Sequence, residues 1–360
     1  MKPNEFERSR ALFRRVALVG VAAGCGIFAP SDAPGQTDAR RGASDRIRVN
    51  CGAGQTIGRA LRHAQPGDSI VVTGTCHERV VITTDRITLA GLGAAVVDGG
   101  GGAPTEFDGV ITIDGARGVT IGWLTVQNGP GEGILARRGA AFVVRETTVR
   151  DNGFTGVAVS ESSTAEISDC ILERNFRGID VVTGSSAVLK GAIDVADNKF
   201  EGVDVNGTSV IEIRGAQVRV SRNGGLGVVA GSNSQLAFLF DTSAGNTLTV
   251  DGNVQGGIAL GDSVLNVFAS NTTITVTNSP VGIIVRPGSI VSPFGIGTFT
   301  IENNVVGLDF RLGGGAIFRG GLNCGTTGPA CERRTVQASS GSSRFRRILP
   351  ASQEMAPTSS

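Results

Sequence analysis

The chain has 360 residues, with 54 Gly, 16 Phe, one Trp and no Tyr, and charged residues make up 18%. Abundant Gly beside many Val, Ile and Thr is typical of a turn-rich β protein and argues against a mainly helical fold. The formal net charge of +1 gives no reason to expect nucleic acid or an anionic membrane as a partner.

Residues 1–39 have the pattern of an export signal. A basic start precedes the short apolar run at 16–29, which is too short to span a bilayer, and a cut after Ala39 is plausible. Two variants stay open: the arginine pair at 14 and 15 weakly resembles a twin-arginine signal, and the residues before Cys25 resemble a degenerate lipobox, which would anchor the protein through that cysteine. We expect a secreted or periplasmic monomer without a transmembrane span in the mature chain.

Residues 40–79 are predicted to form an N-terminal linker and a capping helix. Ile57, Ala60, Leu61 and Ala64 have helical spacing, and a Pro-Gly-Asp sequence at 66–68 then ends the helix before a strand. The only two histidines, His63 and His77, have no partners at catalytic or metal-binding spacing, so we assign them no chemistry.

The cysteines fit an oxidising compartment. We predict disulfides between Cys51 and Cys76 and between Cys324 and Cys331, one near each end of the repeats. The first closes a loop of 25 residues and should stabilise the fold by roughly 3 kcal/mol. Cys170 has no second cysteine nearby and is expected to be reduced and buried.

From residue 125 to residue 310, one unit repeats eight times: a β-branched run, an Asn, a few turn residues, a Gly and a second apolar run. The glycines are Gly133, Gly156, Gly178, Gly202, Gly227, Gly257, Gly282 and Gly307, at spacings of 23, 22, 24, 25, 30, 25 and 25 residues. Such a period, built from strands and turns, indicates a solenoid in which each coil stacks on the next.

Strand alternation predicts which side chains of each coil face the core. The residue after each Gly and the residue two further on should point inward, from Ile134 and Ala136 in the first repeat to Leu308 and Phe310 in the last. The residue between them should point outward. The outward column is Leu135, Ala158, Asp180, Asp204, Val229, Ala259, Ile284 and Asp309.

The asparagines should form a column of stacked amides at the turns, with each amide donating to the next coil. The column is predicted as Asn128, Asn152, Asn175, Asn198, Asn223, Asn253, Asn278 and either Asn303 or Asn304. A ligand-binding role for these amides is the alternative, and the structural role is favoured. The glycine after each Asn is expected to supply backbone freedom.

The pattern N-x-x-x-G-[IV]-x-[VA] resembles the repeats of the right-handed parallel β-helix superfamily, the pectate-lyase-like or NosD-like solenoids, over about residues 50–320. The resemblance implies an all-β fold, a single-stranded solenoid of about ten coils behind an N-terminal capping helix. We place the β-helix at 80–320, a C-terminal cap at 321–334 and a disordered tail at 335–360.

Asp180 and Asp204 are the candidate catalytic residues, because they occupy equivalent outward positions in successive coils, roughly 5 Å apart. At an effective dielectric of 20, two carboxylates at that distance repel by about 3 kcal/mol, which separates their proton affinities. Arg177, Lys199 and Glu201 are the candidate substrate-binding residues. No cofactor is predicted, although the acidic pair could hold Ca²⁺.

A surface charge ladder is the competing interpretation of these residues. Asp151, Arg174, Asp197 and Arg222 alternate in sign from coil to coil, as solvated ladders do, and Arg177 and Glu201 alternate likewise. Phe154, Phe176 and Phe200 sit beside the turns and could stack on each other or on a sugar.

Two hypotheses about function follow. The first is a non-catalytic envelope or surface module that binds polysaccharide or a partner protein, and the second is a polysaccharide hydrolase or lyase that uses the acidic pair. The motifs of polygalacturonases, pectate lyases, mannuronan epimerases and pectin methylesterases are absent from the sequence, which slightly favours the binding module. A groove walled by the loops near Gly99 and Asn246 would favour the enzyme.

Overall fold

The computed structural model describes residues 45–103, 108–239, 245–293, 298–310, 315–316 and 322–324, all within one compact unit that begins at Ser44. The predicted export signal, Cys25, Cys331 and the predicted tail lie outside the described residues, and Cys324 is described by its backbone alone.

Nearly every described element is a strand, and every strand pairing is parallel. Ten strands form one sheet: Val80–Ile82, Ile111–Asp114, Ile134–Arg137, Thr155–Val159, Arg177–Val181, Val203–Val205, Leu226–Gly231, Gly256–Gly261, Val281–Val285 and Val306–Phe310. Twenty strands form the other: Arg46–Asn50, Ser69–Thr73, Thr75–His77, Thr88–Gly91, Val96–Asp98, Arg117–Gly122, Thr125–Gln127, Ala141–Arg145, Thr148–Arg150, Thr164–Glu173, Ser186–Ala196, Val210–Ser221, Gln235–Leu239, Asn246–Asp251, Val264–Val267, Thr272–Thr277, Ile290–Pro293, Thr298–Glu302, Gly315–Ala316 and Leu322–Cys324. The predicted parallel β-helix of about ten coils is confirmed.

The inward columns form the core. Side chains after the repeat glycines, such as Ile134 and Ile179, and those two positions further on, such as Val181, are completely buried. The last repeat differs from the prediction, because Leu308 is only partly buried and Phe310 is 41% exposed. These two belong to the terminal strand of the ten-stranded sheet, which has a neighbouring strand on one side only.

The amide ladder is present, but its register differs at two coils from the predicted one. Asn152, Asn175, Asn198, Asn223 and Asn253 are buried, and each of the last four accepts hydrogen bonds from the backbone N–H and Nδ2 of the Asn one coil earlier. Ser279 and Asn304 continue the ladder.

Asn128 and Asn278 lie one position earlier, with left-handed φ values of 54°. They share that position and conformation with Asp151, Arg174, Asp197 and Arg222. The ladder asparagines themselves do not have positive φ. The left-handed turn is therefore made by the residue before the ladder, not by the ladder Asn.

The repeat glycines are required for space and not for a left-handed backbone, which corrects the expectation. Gly178 has no positive φ. A Cβ on Gly178 would lie 2.2 Å from Val195 Cγ1 and 2.4 Å from the Gly202 carbonyl oxygen. The next coil passes too close for any side chain, so the glycine column allows each turn to stack tightly on its neighbour.

The N-terminal end is covered by a short helix, Ile57–Leu61, next to a 3₁₀ turn, Cys51–Ala53. Glu78 accepts from the backbone N–H groups of Ile57 and Gly58 at 2.6 and 2.9 Å, so a carboxylate sits at the positive end of the helix. A disulfide joins Cys51 to Cys76, as predicted, with a Cα–Cα distance of 5.0 Å.

Parallel pairing already begins between Arg46–Asn50 and Ser69–Thr73, before residue 80, where the sequence analysis places the start of the β-helix. The short helix is therefore an insertion between two coil strands. Among the described residues, no helix combines the length and apolar character that a membrane crossing requires.

Candidate functional site

The outward column of the ten-stranded sheet brings Asp180 and Asp204 together. The strands Arg177–Val181 and Val203–Val205 pair in register, with Asp180 opposite Asp204. Parallel neighbours are about 4.8 Å apart, so two carboxyl groups face the same side at close range. Along the column, Asp180 follows Ala158, and Val229 follows Asp204.

Arg177 neutralises part of this charge. Its Nε donates to Glu201 Oε2 at 2.9 Å and lies 3.9 Å from Asp204 Oδ2. The guanidinium also lies 5.5–6.0 Å from the ring centroids of Phe154, Phe176 and Phe200. Stacked aromatic rings and two carboxylates hold the guanidinium in place.

The three phenylalanines form a ladder along the turns. Adjacent ring centroids are 5.5 Å apart, and the Phe154 and Phe176 rings are inclined by only 14°. Of the two predicted uses of these rings, stacking on one another is what the structure has. The three phenylalanine rings lie on the side of the acidic pair that also holds Arg177.

Glu132 is a fourth carboxyl group of the site and was missed by the sequence analysis. It is 3% exposed, it occupies the position before the repeat glycine, as Arg177 and Glu201 do, and its charge raises the pKa of Asp180. The sequence could have indicated Glu132, because the residues before the repeat glycines form a column of their own.

Burial keeps a proton in the acidic pair near neutral pH. Desolvation, followed by the charge of Asp204, raises the pKa of Asp180 to about 7. Desolvation also raises the pKa of Asp204, to about 6, although Arg177 and the Asn206 amide favour its ionised form. The two carboxyl groups thus have different environments, and Asp180 keeps its proton to a higher pH than Asp204 does.

Two polar atoms beside the pair have no hydrogen-bond partner in the described structure. Asp180 Oδ1 and Thr155 Oγ1 are both buried, and the whole of Thr155 is 1% exposed. Thr155 lies opposite Arg177 in the adjacent strand. Buried polar atoms are nearly always satisfied, so ordered water is expected at these two atoms.

The site is closed towards the N-terminal coils. Leu135 and Thr112 belong to the outward column but are 1% and 3% exposed. A Cβ on Gly109 would be 3.0 Å from Leu135 Cβ and 3.1 Å from Thr112 Oγ1, so the chain at Gly109 lies directly on this face. The neighbouring Asp108 N–H donates to Glu132 Oε2 at 3.2 Å.

A separate surface cavity lies towards the C-terminal coils. A cavity of about 360 Å³ begins at Asn206, whose amide donates to Asp204, and extends past Val229 and Ala259 to Asp262 and Arg286. Asp180 and Asp204 themselves are not among the residues that line this cavity.

The sequence model of a family described as "Right handed beta helix region" matches residues 45–200 and 108–274. The matches together span more than half of the chain. This chain belongs to the right-handed β-helix family. A search of curated proteins finds no matching sequence.

Solved structures of the same architecture are distant in sequence from this β-helix protein. The pectate lyase Pel9A superposes with a TM-score of 0.50 at 14% identity, covering 77% of this chain and 79% of the lyase. The mannuronan C-5 epimerase AlgE4 A-module of Azotobacter vinelandii has a TM-score of 0.45 at 16% identity, covering 77% and 100%. An alginate lyase from Paenibacillus sp. has a TM-score of 0.40 at 14% identity, covering 75% and 97%. At these identities, the likeness describes the fold alone.

One predicted site residue of this β-helix lies elsewhere. Lys199, between the ladder Asn198 and Phe200, is exposed and lines a separate cavity of about 790 Å³ with Asp98, Gly100 and Asp197. The turn directs it away from the outward column, so it does not join Arg177 and Glu201 at the acidic pair.

The charge ladder also exists, on the turn beside that cavity. Arg174 Nε contacts Asp151 Oδ1 at 2.8 Å, and Arg222 Nη2 contacts Asp197 Oδ2 at 2.6 Å. The ladder and the acidic pair are therefore two separate features of one β-helix, and the alternating charges do not account for Asp180 and Asp204.

Among the described residues, three potential metal ligands come together at the N-terminal end. Within the described residues, the one group of three potential ligands whose atoms come within 4.8 Å of one another is Cys51, Cys76 and Glu78. Those two cysteines form the disulfide, and Glu78 caps the helix. The possible Ca²⁺ at Asp180 and Asp204 stays a prediction.

Proposed function

We propose that this β-helix protein is a carbohydrate-active enzyme that hydrolyses glycosidic bonds at the Asp180–Asp204 pair. The observation that carries the proposal is a register-matched pair of carboxyl groups with unequal, raised pKa values, in which Asp180 Oδ1 is buried and has no partner. A structural ion pair would place opposite charges opposite each other, as the turn ladder does.

In this mechanism, Asp180 enters the reaction protonated and donates its proton to the glycosidic oxygen as the bond to the anomeric carbon breaks. Asp204, kept ionised by Arg177 and Asn206, forms a bond to the anomeric carbon from the other face. Water then attacks that carbon, gives a proton to Asp180 and releases Asp204. Neighbouring strands separate the carboxyl groups by about 5 Å, which favours this retaining pathway over an inverting one.

The charge of the site favours a neutral sugar at the cleaved bond. Glu132, Asp180, Glu201 and Asp204 contribute four carboxyl groups against the one guanidinium of Arg177. A uronate carboxylate would be repelled there, and Arg177 is already bonded to Glu201, so elimination from an acidic sugar has little support. The pectate lyase that shares the fold makes polysaccharide the first substrate class to test.

The test is a panel of neutral and acidic polysaccharides, assayed separately for new reducing ends and for unsaturated products. We expect reducing ends without unsaturated products, and a rate maximum between about pH 6 and pH 7, where the pair carries one proton. Asp180→Asn and Asp204→Asn should each lower kcat at least about 100-fold. The matched control is Asp197→Asn, which removes a carboxylate of the turn ladder.

Full activity in both Asp180→Asn and Asp204→Asn would exclude the acidic pair as the catalytic site. If unsaturated products form with the wild type and are lost in Asp180→Asn, the reaction at the pair is elimination and not hydrolysis.

The second candidate is a non-catalytic module that binds polysaccharide or a partner protein. The cavity of about 790 Å³ beside Lys199 favours it, because that cavity lies on the turn face away from the acidic pair. Binding without bond cleavage by the wild type, unchanged by Asp180→Asn and weakened by Lys199→Ala, would select this candidate over the enzyme.

A further inference from the structure

We propose that this β-helix carries a second carbohydrate site, one that binds without cutting, on the outer surface of the twenty-stranded sheet. Its ligand is a short stretch of a neutral oligosaccharide. The inference goes beyond the proposed hydrolase function, because it concerns a different sheet and would hold even if the acidic pair cut nothing. It comes from a cavity of about 530 Å³ that is lined by polar side chains without partners.

The cavity lies beside a bend in the twenty-stranded sheet. Three neighbouring long strands each pass through a residue with left-handed backbone: Asp169, Gly191 and Gly215. The pairing register of these strands shifts in this region, and a bulge bends the strand that carries it. Gly191 leaves room for the Asp169 side chain, since a Cβ there would lie 2.2 Å from Asp169 Oδ1. The hollow lies over the strand residues that follow the bend.

Asp194 and Arg219 lie side by side in this cavity but do not bind each other. They are opposite residues of adjacent strands, which run about 4.8 Å apart. Within the part of the chain that the structure describes, no ion pair joins them, and neither oxygen of Asp194 accepts a hydrogen bond. By contrast, Arg222 contacts Asp197 Oδ2 at 2.6 Å on the nearby turn. A carboxylate and a guanidinium that lie close and unpaired are both available to one ligand.

The neighbouring polar side chains of the cavity are also free. Gln217, Thr247 and Thr249 line it, and none of their side chains forms a hydrogen bond among the described residues. Thr247 lies opposite Gln217, and Thr249 lies opposite Arg219. Polar groups from three successive coils, beginning with Asp194, therefore face one open space.

The mixture of groups favours a neutral ligand with many hydroxyl groups. Asp194 accepts hydrogen bonds, Arg219 donates them, and Gln217 does both. Because a hydroxyl group is donor and acceptor at once, neighbouring hydroxyls of a sugar can bind Asp194 and Arg219 together. The carboxylates of Asp169 and Asp194 would repel an anionic ligand, and the guanidinium of Arg219 would repel a cationic one.

Apolar surface and length complete the match to a saccharide. Ile171 lies opposite Asp194 on the cavity wall and is 44% exposed, so it can pack against the C–H face of a sugar ring. From Ile171 through Asp194 and Arg219 to Thr249, the column covers three coil spacings, or about 14 Å. A short oligosaccharide that lies along the coil axis would contact all four residues.

The test is the affinity of the full-length protein for defined oligosaccharides, measured by isothermal titration calorimetry in the Asp180→Asn variant to prevent cleavage. The probes are neutral β-1,4-linked oligomers of glucose, mannose and xylose, with oligogalacturonates as the anionic comparison. We expect one neutral series to bind, with an affinity that rises up to about three sugar units and then stays constant. Oligogalacturonates should bind at least about tenfold more weakly.

Two substitutions, added to that variant, locate the site. Arg219→Ala and Asp194→Asn should each weaken binding of the best neutral oligomer at least about tenfold. Arg222→Ala is the matched control, because this exposed arginine is already paired with Asp197, and it should leave the affinity unchanged. The inference is overturned if no neutral oligomer binds, or if neither Arg219→Ala nor Asp194→Asn weakens binding. Tighter binding of oligogalacturonates at Arg219 would reject the neutral ligand.

The outcomes also separate this site from the functions proposed above. Binding that is weakened by Lys199→Ala and not by Arg219→Ala would assign the ligand to the turn cavity and reject the site on the sheet. Cleavage is scored on its own with the polysaccharide panel. A panel in which nothing is cleaved rejects the hydrolase and leaves the titration as the test of this inference.

Discussion

Asn198→Ala tests the amide ladder that aligns the coils. Asn198 is buried, and its Nδ2 donates to the Leu172 carbonyl at 3.1 Å and to Asn223 Oδ1 at 3.0 Å. Its Oδ1 accepts from the backbone N–H and the Nδ2 of Asn175 at 3.0 and 3.3 Å. Alanine removes four hydrogen bonds at once and takes the acceptor from a buried Asn175 N–H.

At about 1 kcal/mol of net stability for each bond, with a further cost for the buried N–H, we expect a loss of roughly 4–6 kcal/mol in the free energy of unfolding. The assay is urea unfolding, followed in parallel by far-UV circular dichroism and by the fluorescence of Trp123, the single tryptophan. Coincident transitions are needed before a two-state free energy is extracted.

Asn266→Ala is the matched control, because Asn266 points outward from a strand and its side chain forms no hydrogen bond in the described structure. A change within about 0.5 kcal/mol is expected there. If Asn198→Ala cost no more than the control, the ladder would not stabilise the fold as argued.

Three further predictions concern protonation, the end cap and the repeat glycines. The folded protein retains a proton on Asp180, whose pKa is raised from 3.8 to about 7, so the free energy of unfolding should fall as pH rises from about 4 to about 7. Asp180→Asn should flatten that dependence in thermal melts, and an equally steep profile would contradict the burial argument. Cys51→Ser should lower the free energy of unfolding by about 3 kcal/mol under non-reducing conditions, because it removes the disulfide. Cys170→Ser alters a free thiol, so reductant should destabilise this variant as much as it destabilises the wild type. Gly178→Ala should lower the free energy of unfolding by several kcal/mol, because the new Cβ would collide with Val195 and Gly202. Gly307→Ala is the control, because the nearest atom to its Cβ would be 3.7 Å away, and it should change stability by less than about 1 kcal/mol. Equal losses in the two variants would refute the explanation by close approach of the coils.

The architecture could be predicted because the same apolar alternation and glycine recur in every coil. That regularity fixes the parallel register, so the placement of Asp180 opposite Asp204 followed from counting alone. The ladder register could not be fixed in the same way at Asn128 and Asn278, because each Asn is followed by a small residue, Gly129 or Ser279, that occupies the ladder position. One-residue shifts of this kind leave the strand pattern unchanged.

The cover over Leu135 could not be predicted from the sequence, for a different physical reason. Leu135 was correctly placed on the outer face, and an outer face is expected to be solvated. Its burial depends on where the chain at Gly109 returns to the sheet, and that return follows a Gly-rich segment that carries no periodic signal.

In a solenoid, like charges in one column are costly, because the nearest neighbours of each residue are the equivalent residues of the preceding and following coils. On the turn, the columns resolve this by alternation, and each aspartate there contacts an arginine. On the sheet, Asp180 has the like-charged Asp204 on one side and the apolar Ala158 on the other, and the two aspartates share the one guanidinium of Arg177. A substitution of either aspartate by a neutral residue would relieve that repulsion without disturbing the inward core. Retained repulsion next to unsatisfied buried oxygens is the pattern expected of a group kept for its chemistry, since local costs of this kind concentrate at functional sites.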